Sequence, residues 1–278
     1  MLAQQSEKAH TERDRLSIIL AVMLISATLF RFVELPTFSL GVRQIFGSPL
    51  NFSLGGDWLL AMLMMGLIAT GALSLMRDHP DFESRERRLI FTLFTPTLGA
   101  LLASLLLIRA STWPTWMGTL MASGFFIGLL IHLSYRALSP SHAGYPSARV
   151  MLNIADYLMG FVLFSLILIE QGRMLVTGPI IFLLSGVLAC ELLSASGAPA
   201  KRVLLFGAII ALQLSELAWV LGYWRISAWT AATLLTLGLY LWSGVGYQYL
   251  LSRLTRRVVI EFTVVAFLML ILVLWIRP

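Results

Sequence analysis

Long apolar segments, separated by short polar stretches, make up most of this 278-residue chain. A bilayer core about 30 Å thick is crossed by roughly 20 apolar residues in a helix that rises about 1.5 Å per residue. The pattern therefore predicts an all-α fold, a polytopic transmembrane helical bundle of about nine spans. The predicted spans are residues 16–33, 58–76, 89–108, 115–135, 150–169, 174–194, 203–222, 227–250 and 258–276.

The segment before the first apolar run is mostly polar, and no small-x-small cleavage site is evident in that run. Such a run is typical of an uncleaved signal anchor rather than a removable signal peptide. We expect residues 1–15 to form a cytoplasmic polar N-terminus. Residues 16–278 are expected to form a single transmembrane helical domain.

The loop at residues 35–57 has a different pattern, in which apolar residues alternate with polar or small ones. A period of two is typical of a β-strand, and two such runs flanking turn formers predict a short β-hairpin in this outer loop. Two interpretations of the hairpin stay open: an apolar loop packed on helix ends, or a lid or docking surface. The alternating residues are Phe38, Leu40 and Val42, then Leu50, Phe52 and Leu54, with Gly47-Ser48-Pro49 between them.

Composition supports the membrane assignment, and charge predicts its direction. The chain is 58% hydrophobic and 12% charged, whereas a soluble domain carries about 25% charged residues. Fourteen of the twenty lysines and arginines fall on one side of the predicted topology. The positive-inside rule then places the N-terminus in the cytoplasm and the C-terminus outside.

Tryptophan positions agree with this orientation, since seven of the eight fall near predicted helix ends on the non-cytoplasmic side. Indole rings favour the membrane interface. We expect the protein to lie in the cell inner (plasma) membrane, with the lipid bilayer and other membrane-protein subunits as partners. The basic residues lie in short loops, so a nucleic-acid partner is not expected.

Ionisable residues inside predicted spans indicate where binding could occur, because a charge in the membrane is costly. Glu216 lies in the outer half of its span, one turn after Gln213. A pair of Arg31 with Glu216 or with Glu34 would neutralise such a charge. Two interpretations stay open: a tethering ion pair, or a protonatable site that forms the floor of an outward-facing polar pocket.

Other acidic residues lie nearer the predicted cytoplasmic ends of their spans. Asp156 follows Asn153 by three positions, so the two share a helix face. A structural role is favoured for this group, because its members can reach the interface or pair with cations. Glu191 and Glu261 are the remaining members, and the cations expected near them are Lys201, Arg202 and Arg257.

Small residues recur four positions apart on several predicted spans. Such rows allow close backbone approach, which drives helix association in lipid. We expect them to form the inner faces of one bundle rather than a homodimer contact. The rows are Gly66/Thr70/Ser74, Gly99/Ala103, Gly118/Ala122, Gly124/Gly128 and Gly207/Ala211/Ser215.

The chain has no Walker loop, dinucleotide fingerprint, nucleophile elbow or zinc-protease helix. Catalytic residues are therefore unknown, and we expect no metal site and no cofactor. Three functions stay open: a non-catalytic membrane component or scaffold subunit, a small-solute transporter or channel, and an intramembrane enzyme on a lipid-linked substrate. The tiny loops and packing rows favour the first, and the intramembrane polar groups favour the second.

Several short motifs together resemble an uncharacterised family of bacterial multi-pass membrane proteins, known as a domain of unknown function. The resemblance spans nearly the whole chain and implies no activity, substrate or catalytic residue. The motifs are Gly47-Ser48-Pro49-Leu50 before Trp58-Leu59-Leu60, Ala69-Thr70-Gly71 before His79-Pro80, Glu216 to Tyr223-Trp224, and Leu254-Thr255-Arg256-Arg257 before Glu261-Phe262.

Overall fold

Nine long helices and one β-hairpin make up the residues described by the computed structural model. The backbone is described at residues 2–32, 38–45, 48–54, 56–77, 90–138, 144–170, 174–224 and 226–275, and side chains at 14–32, 56–77, 90–138, 144–170, 174–224 and 226–271. The helices are α1 (Leu2–Phe32), α2 (Gly56–Arg77), α3 (Phe94–Arg109), α4 (Trp113–Arg136), α5 (Tyr145–Ile169), α6 (Met174–Ser194), α7 (Ala200–Tyr223), α8 (Ala228–Leu250) and α9 (Arg256–Trp275). The hairpin strands are β1 (Phe38–Ile45) and β2 (Ser48–Leu54).

Eight of these helices are long and apolar enough to cross a membrane. They are residues Asp14–Phe32 of α1, the whole of α2, the segment Ile90–Arg109 that contains α3, and every complete helix from α4 to α8. The ninth helix, α9, has 20 residues. The chain is therefore a multi-pass membrane protein, and the predicted all-α transmembrane bundle is confirmed.

The predicted hairpin is present in the loop between α1 and α2. Its strands pair antiparallel, with Phe38 opposite Leu54 and Leu40 opposite Phe52, and the register is irregular between Leu40 and Arg43. The turn residues 46–47 and the loop residue 55 lie outside the described residues. The period-two pattern thus predicted the backbone of this segment correctly.

The chain divides into two compact units. Unit 1 comprises Met1–Ser84 and Pro96–Ser139, and unit 2 comprises Arg85–Thr95 and Pro140–Pro278. The cytoplasmic placement of residues 1–15 stays a prediction. So does the folding of residues 16–278 as a single transmembrane domain.

Within unit 1, α1 packs against α2 and α4. A Cβ atom added at Gly128 would lie 2.9 Å from Leu20 Cδ1, and one added at Gly124 would lie 3.2 Å from Leu24 Cδ2. Both glycines lie on α4 and both leucines on α1, so glycine lets the two helices come this close. The predicted packing role of the Gly124/Gly128 row is confirmed.

Within unit 2, α6 and α7 make the most extensive helix contact. A Cβ atom added at Gly207 of α7 would meet Cys190 Sγ of α6, and one added at Gly186 would lie 3.3 Å from Ala211 Cβ. The Gly207/Ala211 row therefore packs as predicted.

Two of the predicted rows do not lie on inner faces. Gly66, Thr70 and Ser74 are exposed, as are Gly118 and Ala122. No heavy atom of the described residues lies within 4 Å of a Cβ added at Gly66 or Gly118. The Thr70 hydroxyl donates to the Gly66 carbonyl oxygen of its own helix at 2.8 Å, so this hydroxyl needs no partner on a neighbouring helix.

Candidate functional site

Three polar side chains share one face of α5 and define the candidate site. Arg149, Asn153 and Asp156 are spaced by four and then three positions, so they stack along a single stripe of the helix. The sequence predicted this span to begin at residue 150, with Arg149 in the preceding loop. The helix instead begins at Tyr145, which places Arg149 in its second turn.

Arg149 holds Glu191 of α6 through several hydrogen bonds. Its Nη1 donates to Glu191 Oε1 at 2.9 Å, and its Nη2 donates to Oε2 at 3.4 Å and to the backbone oxygen of Glu191 at 3.0 Å. The same Nη2 donates to Ser194 Oγ at 3.2 Å. The Glu191 side chain is buried, with 1% exposed, and the Arg149 side chain is largely buried, with 11% exposed. This two-pronged geometry is the strong form of an arginine–carboxylate pair.

Glu191 is thus paired, as a structural role requires, but with Arg149 rather than with Lys201 or Arg202, the cations expected near it. Both lysine and arginine are exposed in the first turn of α7. The face of α6 that carries Glu191 packs against α5, and there Arg149 is the available cation.

Asp156 lies deeper on the same stripe and is completely buried. Thr95 Oγ1 donates to its Oδ1 at 2.9 Å. Among the residues that the structure describes, Asp156 Oδ2 has no hydrogen-bond partner, and neither has Asn153 Oδ1. The Glu191 carboxylate lies within hydrogen-bonding reach of the Asp156 side chain. The site therefore gathers two carboxyls and one guanidinium inside unit 2.

Glu216, which the sequence singled out, lies away from this cluster. It is exposed on α7, and Gln213, one turn before it, is half-buried. The hypothesised pair of Glu216 with Arg31 joins residues of different units and stays a prediction.

Arg31 lies in the last turn of α1 in unit 1 and is exposed. Its guanidinium carbon lies 5.8 Å from the ring centroid of Trp113, a distance typical of a cation–π contact. The indole therefore covers one face of the exposed guanidinium. Glu34, the other hypothesised partner, lies outside the described residues.

The predicted neighbour pair on α9 is confirmed. Arg257 Nε donates to Glu261 Oε1 at 3.0 Å, one turn along the helix. Both side chains are exposed, 88% and 60% respectively. An exposed pair of this kind contributes little to stability, which makes it a useful reference for the buried pair.

A family model described as "Protein of unknown function (DUF5656)" matches residues 36–276. The chain belongs to the DUF5656 family. The resemblance to an uncharacterised family is thereby confirmed. No curated protein and no solved structure matches the chain.

The matched range of this DUF5656 chain includes the whole ion-pair cluster. The sequence carried a signal for part of it, since the polar stripe on α5 repeats at helical spacing. Thr95 carried no such signal, because a threonine near the start of an apolar helix is ordinary. Among the residues described, no group of three histidine, cysteine or acidic side chains could hold a metal ion.

An open cavity of about 590 Å³ lies elsewhere in unit 2. It is lined by the first turns of α7 and by the end of α8 with the turn that follows. Its charged member is Arg202, one of the two cations expected near Glu191. The other lining residues are Leu205, Phe206, Tyr249, Leu250, Ser252 and Leu254.

Proposed function

We propose that this DUF5656 chain is a non-catalytic component of a bacterial inner membrane that assembles with another membrane protein through the exposed face of α7. The observation that carries this proposal is the position of Glu216. An ionisable side chain within a membrane-spanning helix usually faces protein or a water-filled cavity. The Glu216 side chain is instead exposed on the surface of α7.

The surroundings of Glu216 are those of a lipid-facing surface. Leu212 and Val220, each four positions away, are 53% and 60% exposed. Leu205 and Ile209 extend the same apolar stripe toward the start of the helix. No ion pair of Glu216 is found among the described residues, and a carboxylate without one on this stripe opposes burial in lipid, whereas a partner helix would cover it.

The Glu216 side chain cannot avoid the cost of a charge in lipid by extending to the membrane interface. Glu216 lies seven residues before Tyr223, the end of α7, and therefore about 10 Å inside it along the axis. Lysine and arginine reach the interface from such depths on long apolar stems. Glutamate has only two methylenes.

Charge complementarity identifies the partner's chemistry. We expect a transmembrane helix of another protein that presents a lysine or arginine to Glu216. A charged pair shielded from water replaces the hydration that the carboxylate loses in the membrane. A second copy of this chain is a poorer fit, because a symmetric contact would bring two Glu216 carboxylates together.

Co-purification in native lipid tests this proposal. The full chain, tagged and carrying a photo-crosslinking residue in place of Leu212, is expected to cross-link to one protein in stoichiometric amount. Glu216→Gln is expected to reduce that cross-link at least tenfold. Glu261→Gln is the matched control, since it removes an exposed carboxylate that already has a partner within the chain.

The decisive step is a charge exchange with the cross-linked protein. Glu216→Lys is expected to abolish the cross-link, and replacing the partner's cation with glutamate is expected to restore it. Equal cross-linking by wild type and Glu216→Gln would overturn the proposal. A cross-link to a second copy of the chain, or none at all, would overturn it as well.

We further propose that α9 also crosses the membrane, as the ninth predicted span, and that the N-terminus is therefore cytoplasmic and the C-terminus external, on the strength of the lysine and arginine distribution. Single cysteines at Ser111 and Ser252, both exposed, are introduced into a Cys190→Ala background. A membrane-impermeant maleimide is expected to label Ser111→Cys in intact cells and Ser252→Cys after permeabilisation. Labelling in the opposite order would reverse the orientation.

A small-solute transporter is the second candidate function. The buried cluster of Arg149, Asp156 and Glu191 favours it, because such groups mark substrate and ion pathways in membrane proteins. Mass spectrometry of the protein purified in native lipid is then expected to detect a polar solute that Asp156→Asn no longer retains. Identical solute content in the two proteins would remove this candidate.

A further inference from the structure

We propose that Asp156 and Glu191 form a buried proton-binding site, in which the two carboxyls hold one proton between them. The ligand class is the proton itself. In the occupied state the Asp156 carboxyl is neutral and donates from Oδ2 to the Glu191 carboxylate, which also accepts from Arg149.

The hydrogen bonds at Asp156 distinguish its two oxygens. Thr95 donates to Oδ1, so Oδ1 serves as the acceptor. Oδ2 has no partner among the described residues, although the side chain is completely buried. A buried polar atom without a partner costs free energy, about 1–3 kcal/mol by mutational measures. Glu191 is within reach but has no proton of its own to donate when ionised. A proton on Oδ2 satisfies both groups.

Charge balance requires the same proton. Arg149 supplies one positive charge, and two ionised carboxylates beside it would leave one uncompensated negative charge in the membrane. Two carboxyl groups that share a site do not both ionise readily. With one proton bound, the cluster of Arg149, Asp156 and Glu191 is neutral.

The other titratable groups near the cluster do not change this balance. Tyr145 lies on α5 near Arg149, and Tyr157 follows Asp156 directly. The Tyr157 hydroxyl is 3.0 Å from Ser243 Oγ of α8, and its ring packs edge-on against Tyr240, with the centroids 5.8 Å apart. A tyrosine supplies no positive charge, so within the described residues Arg149 is the cation that faces the two carboxyls.

The site lies across the contact between two helices, which gives proton release a structural consequence. Asp156 belongs to α5 and Glu191 to α6. Loss of the proton replaces a hydrogen bond between them with repulsion between two buried carboxylates. Proton occupancy therefore controls how firmly α5 and α6 hold together at this end of unit 2.

Infrared spectroscopy of the full-length protein in lipid bilayers at pH 7 tests the proposal, because a protonated carboxyl has a C=O stretching band that a carboxylate lacks. The difference spectrum between wild type and Asp156→Asn is expected to contain this band. Asparagine copies the size and hydrogen-bonding capacity of the neutral acid, so we expect the variant to fold. Glu261→Gln is the control, and its difference spectrum is expected to lack the band.

A second variant keeps Asp156 in place and reads the same proton. Thr95→Val removes the hydroxyl that donates to Oδ1, so the C=O band is expected to shift to higher wavenumber while keeping its intensity. Absence of a carboxyl band in the wild type would overturn the proposal. The proposal would also be overturned if the carboxyl band remained in Asp156→Asn and did not shift in Thr95→Val. The proton would then be located elsewhere.

Discussion

Replacing Arg149 with methionine is expected to lower the free energy of unfolding by about 3–5 kcal/mol, the range for breaking a buried ion pair by removing one partner. Methionine retains much of the apolar stem, so the change isolates the guanidinium. The Glu191 side chain is 1% exposed and would lose both of its Arg149 donors, Nη1 and Nη2, together. The remaining carboxylate would have to bind a proton or stay charged in an apolar environment, and either outcome costs free energy.

Equilibrium unfolding in mixed micelles, followed by tryptophan fluorescence, measures this loss. Arg257→Met is the matched control, because Arg257 makes the same type of bond to Glu261 at nearly the same distance, 3.0 Å, but in an exposed setting. We expect it to unfold like the wild type. Equal effects of the two substitutions would mean that burial adds nothing to the Arg149–Glu191 pair.

A double substitution separates the charge from the packing. Replacing both members, Arg149→Met with Glu191→Leu, removes the stranded charge that makes the single substitution costly. Buried pairs replaced by apolar residues of similar volume are often as stable as the original. The double variant is therefore expected to be more stable than Arg149→Met alone. Additive losses would instead indicate that the two side chains stabilise the protein independently.

The helices were predictable because bilayer thickness, rather than tertiary contact, sets their length. The sixth helix illustrates this: residues 174–194 were predicted, and α6 is Met174–Ser194. The start of α5 was predicted incorrectly because a charged residue such as Arg149, next to an apolar segment, is typical of a loop. Its charge is accommodated inside the helix by Glu191, a partner 42 positions away in sequence.

The candidate site was predictable only in part, because its contacts also join residues that are distant in sequence. Helical spacing put Asn153 and Asp156 on one face, which is a local property. Helical periodicity does not specify which neighbour that face meets. The bond from Thr95 to Asp156 spans 61 positions and depends on tertiary packing. Two of the small-residue rows were mispredicted for the same reason, since Gly66 and Gly207 have the same local pattern but one faces outward and the other faces a helix.

Because Gly207 faces a neighbouring helix, a substitution there is expected to have a second large effect on stability. Gly207→Ala is expected to lower the free energy of unfolding by about 1–3 kcal/mol, because overpacking a close helix contact forces shifts in side chains or backbone. The added methyl would meet Cys190 Sγ, and the Cys190 backbone nitrogen and the Gly186 carbonyl oxygen would lie 3.5 and 3.6 Å away. Those two backbone distances are ordinary van der Waals contacts, so the Cys190 sulfur is the atom that the new methyl would displace.

Gly118→Ala is the matched control, since it makes the same substitution inside a helix with no heavy atom of the described residues within 4 Å. Alanine is a better helix former than glycine by about 1 kcal/mol, so this variant is expected to match or exceed wild-type stability. The clash can also be relieved directly: Gly207→Ala combined with Cys190→Ala replaces the sulfur with space for the new methyl. Recovery in the double variant would attribute the loss to the α6–α7 contact. A loss that persists without the sulfur would contradict that assignment, because the strain would then lie in the backbone of α7 itself.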